Sequence, residues 1–115
     1  MKFFSARLSV VSLVDDGKTG KTNLWDEVVF VFRAKDFDHA FNRALELGRA
    51  QETEYLNFKQ QKVRWAFVKV ETLDLLGKSI DGKEVSSCLN HRRSKAYIPF
   101  DGKFNPEDSQ PSQSF

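Results

Sequence analysis

From Phe3 to Val14 the apolar positions alternate. Phe4, Ala6, Leu8 and Val10 share one face, and Phe3, Ser5, Arg7 and Ser9 share the other. A period of two predicts an extended strand whose two faces meet different surroundings. The pattern breaks at DDGKTGKTN, where Gly, Asn and charge predict a long hairpin loop. It resumes over residues 24–34, with Leu24, Val28, Phe30, Phe32 and Ala34 on one side. Trp25, Glu27, Val29, Val31 and Arg33 occupy the other, so neither side of this second strand is cleanly polar.

The period then changes. Phe37, Ala40, Phe41, Ala44, Leu47, Gly48 and Gln51 recur at helical spacing. Asp36 or Asp38 can accept from the free N–H groups of the first turn, where a negative charge also suits the helix dipole. Ala44 and Gly48 let this face lie close against a sheet. Glycine inside a helix costs about 1 kcal/mol relative to alanine, a cost that close approach explains. The helix is expected to end near Tyr55 to Asn57. After the polar connector NFKQQK, the run VRWAFVKVETL predicts a strand. Trp65 and Phe67 share one of its faces, and Ala66, Val68 and Val70 the other. Asp81-Gly82 marks a turn, and KEVSSCLN is expected to supply the fourth strand. Beyond Pro99 the composition shifts to Pro, Ser, Gln and Asp, which predicts a flexible tail over residues 101–115. The expectation is a single α+β domain over residues 1–100. Its four-stranded, mainly antiparallel sheet carries one helix on one face, in the order β-β-α-β-β.

Several of these positions carry a resemblance. They are Ser5-Ala6 in the first strand, Ala34 before the helix, and Ala40, Ala44 and Leu47-Gly48 along it. Tyr55 and Asn57 follow, then Val63-x-Trp65-x-Phe67 and Asp81-Gly82-x-Glu84-Val85. Over roughly residues 4–90 the chain resembles the small bacterial family labelled domain of unknown function 4288. The first hairpin loop is long for that family, and the basic run after Cys88 is not part of its pattern. The resemblance implies the fold above and brings no activity, cofactor or catalytic residue with it.

Composition changes the picture in three ways. Eleven Phe, two Trp and two Tyr in 115 residues place much of the packing on aromatic rings. The net charge of +2 is too small to argue for nucleic acid by itself. It is unevenly spread, however: residues 36–57 hold five acids against two bases, and residues 58–100 hold nine bases against four acids. The single cysteine, Cys88, excludes an internal disulfide and favours a reducing compartment. Lys2 followed by an apolar run has the look of a signal peptide. Arg7 interrupts that run, and no small-residue cleavage site precedes Asp15-Asp16. No stretch approaches the roughly 18 apolar residues of a membrane span. A cytoplasmic protein is the expectation.

Candidate chemistry is sparse. GKTGKT at residues 17–22 imitates part of a phosphate-binding loop, but the glycine required five positions earlier is replaced by Ser12 or Asp15. A strand follows it where the motif needs a helix. Cys88 and His91 are close enough in sequence to propose a nucleophile with its base, or a metal pair. Neither has the additional ligands or orienting group that such sites need, and His39 is expected on the solvent side of the helix. No catalytic, cofactor or metal site is therefore assigned.

Two binding surfaces remain. The first is the sheet face away from the helix, with Trp25, Val29, Val31, Trp65 and Phe67 expected on it; an apolar patch of that size marks an interaction site. It predicts a non-catalytic interaction module, a homodimer or a complex with another protein, unless Tyr97, Ile98 and Phe100 fold back as cover. The second is the basic segment at residues 91–95, where Arg92, Arg93 and Lys95 are possible phosphate contacts of a nucleic-acid-binding domain.

Overall fold

The structure, a computed structural model, describes residues 1–17, 23–82 and 97–112. The two alternating segments become β1 (Lys2–Val14) and β2 (Leu24–Ala34), paired antiparallel without a break from Lys2 opposite Ala34 to Ser12 opposite Leu24. Their even-numbered residues turn to one face, and helix α1 (Phe37–Arg49) lies across it. Strands β3 (Thr53–Leu56) and β4 (Lys62–Gly77) complete an antiparallel sheet in the spatial order β2-β1-β4-β3. The element order β-β-α-β-β is the one expected.

Helix α1 starts where the sequence signals it. Asp36 Oδ1 accepts from the His39 N–H at 2.8 Å, and the His39 ring answers in kind: its Nδ1 accepts from the Lys35 N–H at 2.9 Å. His39 therefore belongs to the N-terminal cap, a reciprocal arrangement akin to a capping box, and its ring is not merely solvent-facing. The helix ends earlier than expected. Residues 53–56, TEYL, leave it to pair with residues 62–65 of β4. The connector that follows is a tight hairpin: Asn57 Oδ1 accepts from the N–H groups of Lys59 and Gln61, and Gln60 takes a positive φ of 61°. An Asx-type turn of this kind gives the chain its reversal and places Thr53 and Tyr55 in a strand. The segment 83–90, expected as the fourth strand, lies outside the described residues.

The main core lies between α1 and the sheet. Phe4, Ala6, Leu8 and Val10 of β1 meet Phe32 and Ala34 of β2, Ala40 and Ala44 of α1, and Phe67, Val70 and Leu73 of β4. This corrects the expected side of Trp65 and Phe67, because both rings belong to the helix face. Strand β4 carries an extra residue against β1 at Val68, at Glu71 and at Leu76. Each bulge reverses the parity of the pleat. Phe67 opposite Val10 and Val70 opposite Leu8 thus turn the same way, although they lie three positions apart. Phe67 is the reason for Gly48: a methyl group there would stand 2.6 Å from Phe67 Cδ2.

The C-terminal segment also differs from the expected tail. Residues 101–112 follow the free edge of β4, with a short 3-10 turn at Pro106–Asp108. Ser109 Oγ accepts from the Val70 N–H at 3.0 Å. Ser112 accepts from the Leu73 N–H at 3.0 Å and donates to the Glu71 carbonyl at 3.1 Å. Arg49, at the end of α1, pairs with Glu107. The edge groups of β4 beyond β3 thereby gain partners, which removes a template for strand addition.

Candidate functional site

The sheet face turned away from α1 has three zones. At the loop end, Val11, Leu13 and Ala66 form a second, smaller core, against which Trp25, Val68, Ile98, Phe100 and Phe104 pack. The C-terminal segment covers this end, and two side chains tie it down. Asn23 donates from its amide to the Ile98 carbonyl at 3.0 Å and accepts from the Ile98 N–H at 2.8 Å. Arg64 Nη2 donates to the carbonyls of Phe100 at 2.9 Å and Gly102 at 2.6 Å, and its guanidinium sits 5.7 Å from the Phe100 ring. Hydrogen bonds from a charged donor are among the stronger ones a protein makes.

The middle zone is polar and mostly buried. Strand β1 contributes Ser5, Arg7 and Ser9, and β4 contributes Thr72 and Asp74. Ser5 lies opposite Asp74, and Arg7 lies opposite Thr72. All of these except Arg7 are buried, and the Arg7 side chain is only 16% exposed. Its Nε stands 3.6 Å from Glu27 Oε2, an ion-pair distance too long for a hydrogen bond. That buried Nε makes no hydrogen bond. Ser9 directs its hydroxyl to the Lys69 carbonyl at 3.4 Å. A hydroxyl nucleophile needs a base within hydrogen-bond reach; here the Ser9 proton is directed at the neighbouring strand, so the zone cross-links β1, β2 and β4. Among the described residues, no three His, Cys, Asp or Glu side chains are grouped to hold a metal ion. Nor is any described helix long and apolar enough to cross a membrane.

The third zone is the outer strand. Val29 and Val31 of β2 are 42% and 41% exposed. Arg33 lies 4.8 Å over the Phe3 ring at the far end. The five residues expected to form one interaction surface therefore separate. Val29 and Val31 remain open, Trp25 packs with the C-terminal cover, and Trp65 and Phe67 pack beneath α1. Arg92, Arg93 and Lys95, like Cys88 and His91, lie outside the described residues.

A cleft of about 230 Å³ also lies between the end of α1 and the C-terminal segment, lined in part by Arg49, Glu52 and Arg64. Three of its charges already have protein partners: Arg49 has Glu107, Arg64 has two carbonyls, and Glu52 Oε2 accepts from the Phe67 N–H at 3.4 Å. Asn23 and Arg64 were not legible as anchors. Their partners lie 75 residues away for Asn23 and up to 38 for Arg64, and no local pattern marks such a contact.

A family model described as domain of unknown function (DUF4288) matches residues 3–87, from the first strand to beyond the Asp81-Gly82 turn. No curated protein matches the chain, and no solved structure does.

Proposed function

The chain belongs to the DUF4288 family, and on that premise we propose that it is a small, non-catalytic interaction module that associates with a second copy of itself through its sheet. One observation carries this reading. The outermost strand, β2, holds the run Val28-Val29-Phe30-Val31-Phe32, and its two outward valines are more than two-fifths exposed. A long apolar strand at a sheet edge is a liability that proteins usually blunt with Lys, Pro, a bulge or cover. The edge of β4 is covered in that way. The central run of β2 contains no Lys or Pro, and its pairing with β1 is free of bulges.

The surface supporting association is narrower than the sequence implied, because Trp25 sits with the C-terminal cover and Trp65 and Phe67 face the helix. Val29 and Val31 are its centre. Gel filtration with light scattering at tens of micromolar, a range set by ordinary dimer affinities, tests the reading. The expected mass is twice the 13.3 kDa of the chain. A strict monomer overturns it. RNA retention that weakens with salt and is lost when Arg92, Arg93 and Lys95 are replaced would favour the nucleic-acid alternative instead.

A further inference from the structure

We propose that β2 pairs antiparallel with β2 of a second copy, in the register that sets Glu27 opposite Arg33, Val29 opposite Val31, and Phe30 opposite itself on the two-fold axis. The inference rests on the self-association reading and specifies its geometry. The sheet then runs without interruption through both copies.

Backbone direction comes first. In an antiparallel sheet alternate residues of an outer strand point their N–H and C=O groups inward and outward. Two contacts show which set of β2 points outward: the Arg33 carbonyl accepts from Arg43 Nη1 at 2.8 Å, and the Glu27 N–H donates to Asp26 Oδ1 at 2.9 Å. Both residues are odd-numbered. Val29 and Val31 lie between them with the same parity, so their backbone groups also point outward. Among the described residues, no backbone group bonds to them on that side. The opposite edge of the sheet obeys the same rule, since the outward N–H groups of Phe67, Val70 and Leu73 are met by Glu52, Ser109 and Ser112. On β4 the chain supplies partners for its edge. At the centre of β2 it supplies none among the described residues.

Charge then selects the register. A two-fold pairing must set odd-numbered residues against odd-numbered ones for their outward groups to meet. Centred on Phe30, it places Glu27 against Arg33 twice, once on each side of the axis, and both side chains are exposed on the same face. Between these ion pairs lie the half-open valines of both copies. On the other face Phe30 meets Phe30, and Val28 meets Phe32. Centring on Val29 would set Glu27 against Val31. Centring on Val31 would set Arg33 against Val29 and carry the pairing past Ala34, the end of the strand. Only the register centred on Phe30 pairs Glu27 with Arg33 within β2 and the residues between them apolar with apolar; Asp26 falls opposite Ala34. Opposite charges across a strand pair stabilise it, and like charges directly opposite destabilise it.

The test is a charge exchange. Glu27→Arg sets Arg against Arg33 at both ends, and Arg33→Glu sets Glu against Glu27 at both ends. Each variant alone is expected to run as a monomer by light scattering; because Glu27→Arg also removes the ion partner of Arg7, Arg33→Glu is the variant expected to keep the circular dichroism of the parent. Mixed in equal amounts, they are expected to restore the dimer, because every cross-strand pair is again opposite in charge. Val29→Lys, at an exposed site, gives a second route: a folded monomer. If the parent is a dimer but the single variants dimerise undiminished, the mixture stays monomeric, or Val29→Lys remains a dimer, the β2 pairing is wrong while self-association stands. A monomeric parent ends both.

Discussion

The contact between Gly48 and Phe67 yields a prediction whose sign is not obvious. Replacing Gly48 by Ala removes a glycine from the last turn of α1 and should on propensity alone stabilise the protein by at most about 1 kcal/mol. Against this, the new methyl would stand 2.6 Å from Phe67 Cδ2, well inside van der Waals contact. The ring is 2% exposed, held between α1 and the sheet, and belongs to the largest core cluster. It borders the cleft beside Glu52 and Arg64, but moving towards it would give up contacts in that core. Overpacking of a well-filled core costs about 1–3 kcal/mol, so steric conflict exceeds propensity. Set against the full propensity gain, Gly48→Ala should still destabilise, by up to about 2 kcal/mol, and lower the midpoint of thermal unfolding by up to about 8 °C. Urea titration measures the energy directly, since a shifted midpoint with unchanged slope reports stability. A double-mutant cycle identifies the cause. In a Phe67→Leu background the clash is relieved, and Gly48→Ala should become neutral or stabilising, with a coupling of about 1–3 kcal/mol. A Gly48→Ala variant more stable than the parent, or equal destabilisation in both backgrounds, would refute the close-approach argument.

Two further substitutions test other joints. Arg64→Ala removes two charged hydrogen bonds from the C-terminal segment, and should cost about 1.5–3 kcal/mol and speed tryptic cleavage at Lys103; unchanged cleavage would show that the segment is held by its apolar contacts alone. Asp36→Ala should cost about 1 kcal/mol in a thermal melt, and Asp36→Asn much less, because an amide oxygen can still accept from the His39 N–H; equal losses in the two variants would assign the effect to charge and not to the cap.

Much of the scaffold was legible because it rests on local periodicity. In β1, β2 and α1 a single repeat runs unbroken, so the side chain facing the core follows from its position. Strand β4 defeats that rule. Its three bulges are set by pairing with β1, and their effect on the pleat is to turn Phe67, Val70 and Leu73 to one face, a spacing that no period of two contains. Residues 53–56 are a similar case: TEYL fits the end of a helix or the start of a strand, and β4 decides between them by offering an edge. The polar C-terminal composition pointed to fraying. Ile98, Phe100, Phe104 and the buried Pro106 are few, but Asn23 and Arg64 wait at distant positions to receive the backbone around them.

The candidate site moved for the same reasons. Tertiary structure divided the expected ring surface among the helix face, the C-terminal cover and the open outer strand, and left Val29 and Val31 as its exposed centre. The sequence by itself determined which segments are extended, where the helix begins, and that a glycine sits at its closest approach, because these depend on residues near one another in the chain. Which face each ring of β4 joins, what covers the second core and which edge stays open were decided only by tertiary structure. Pleat parity, long-range hydrogen bonds and strand order depend on the partner that each segment meets.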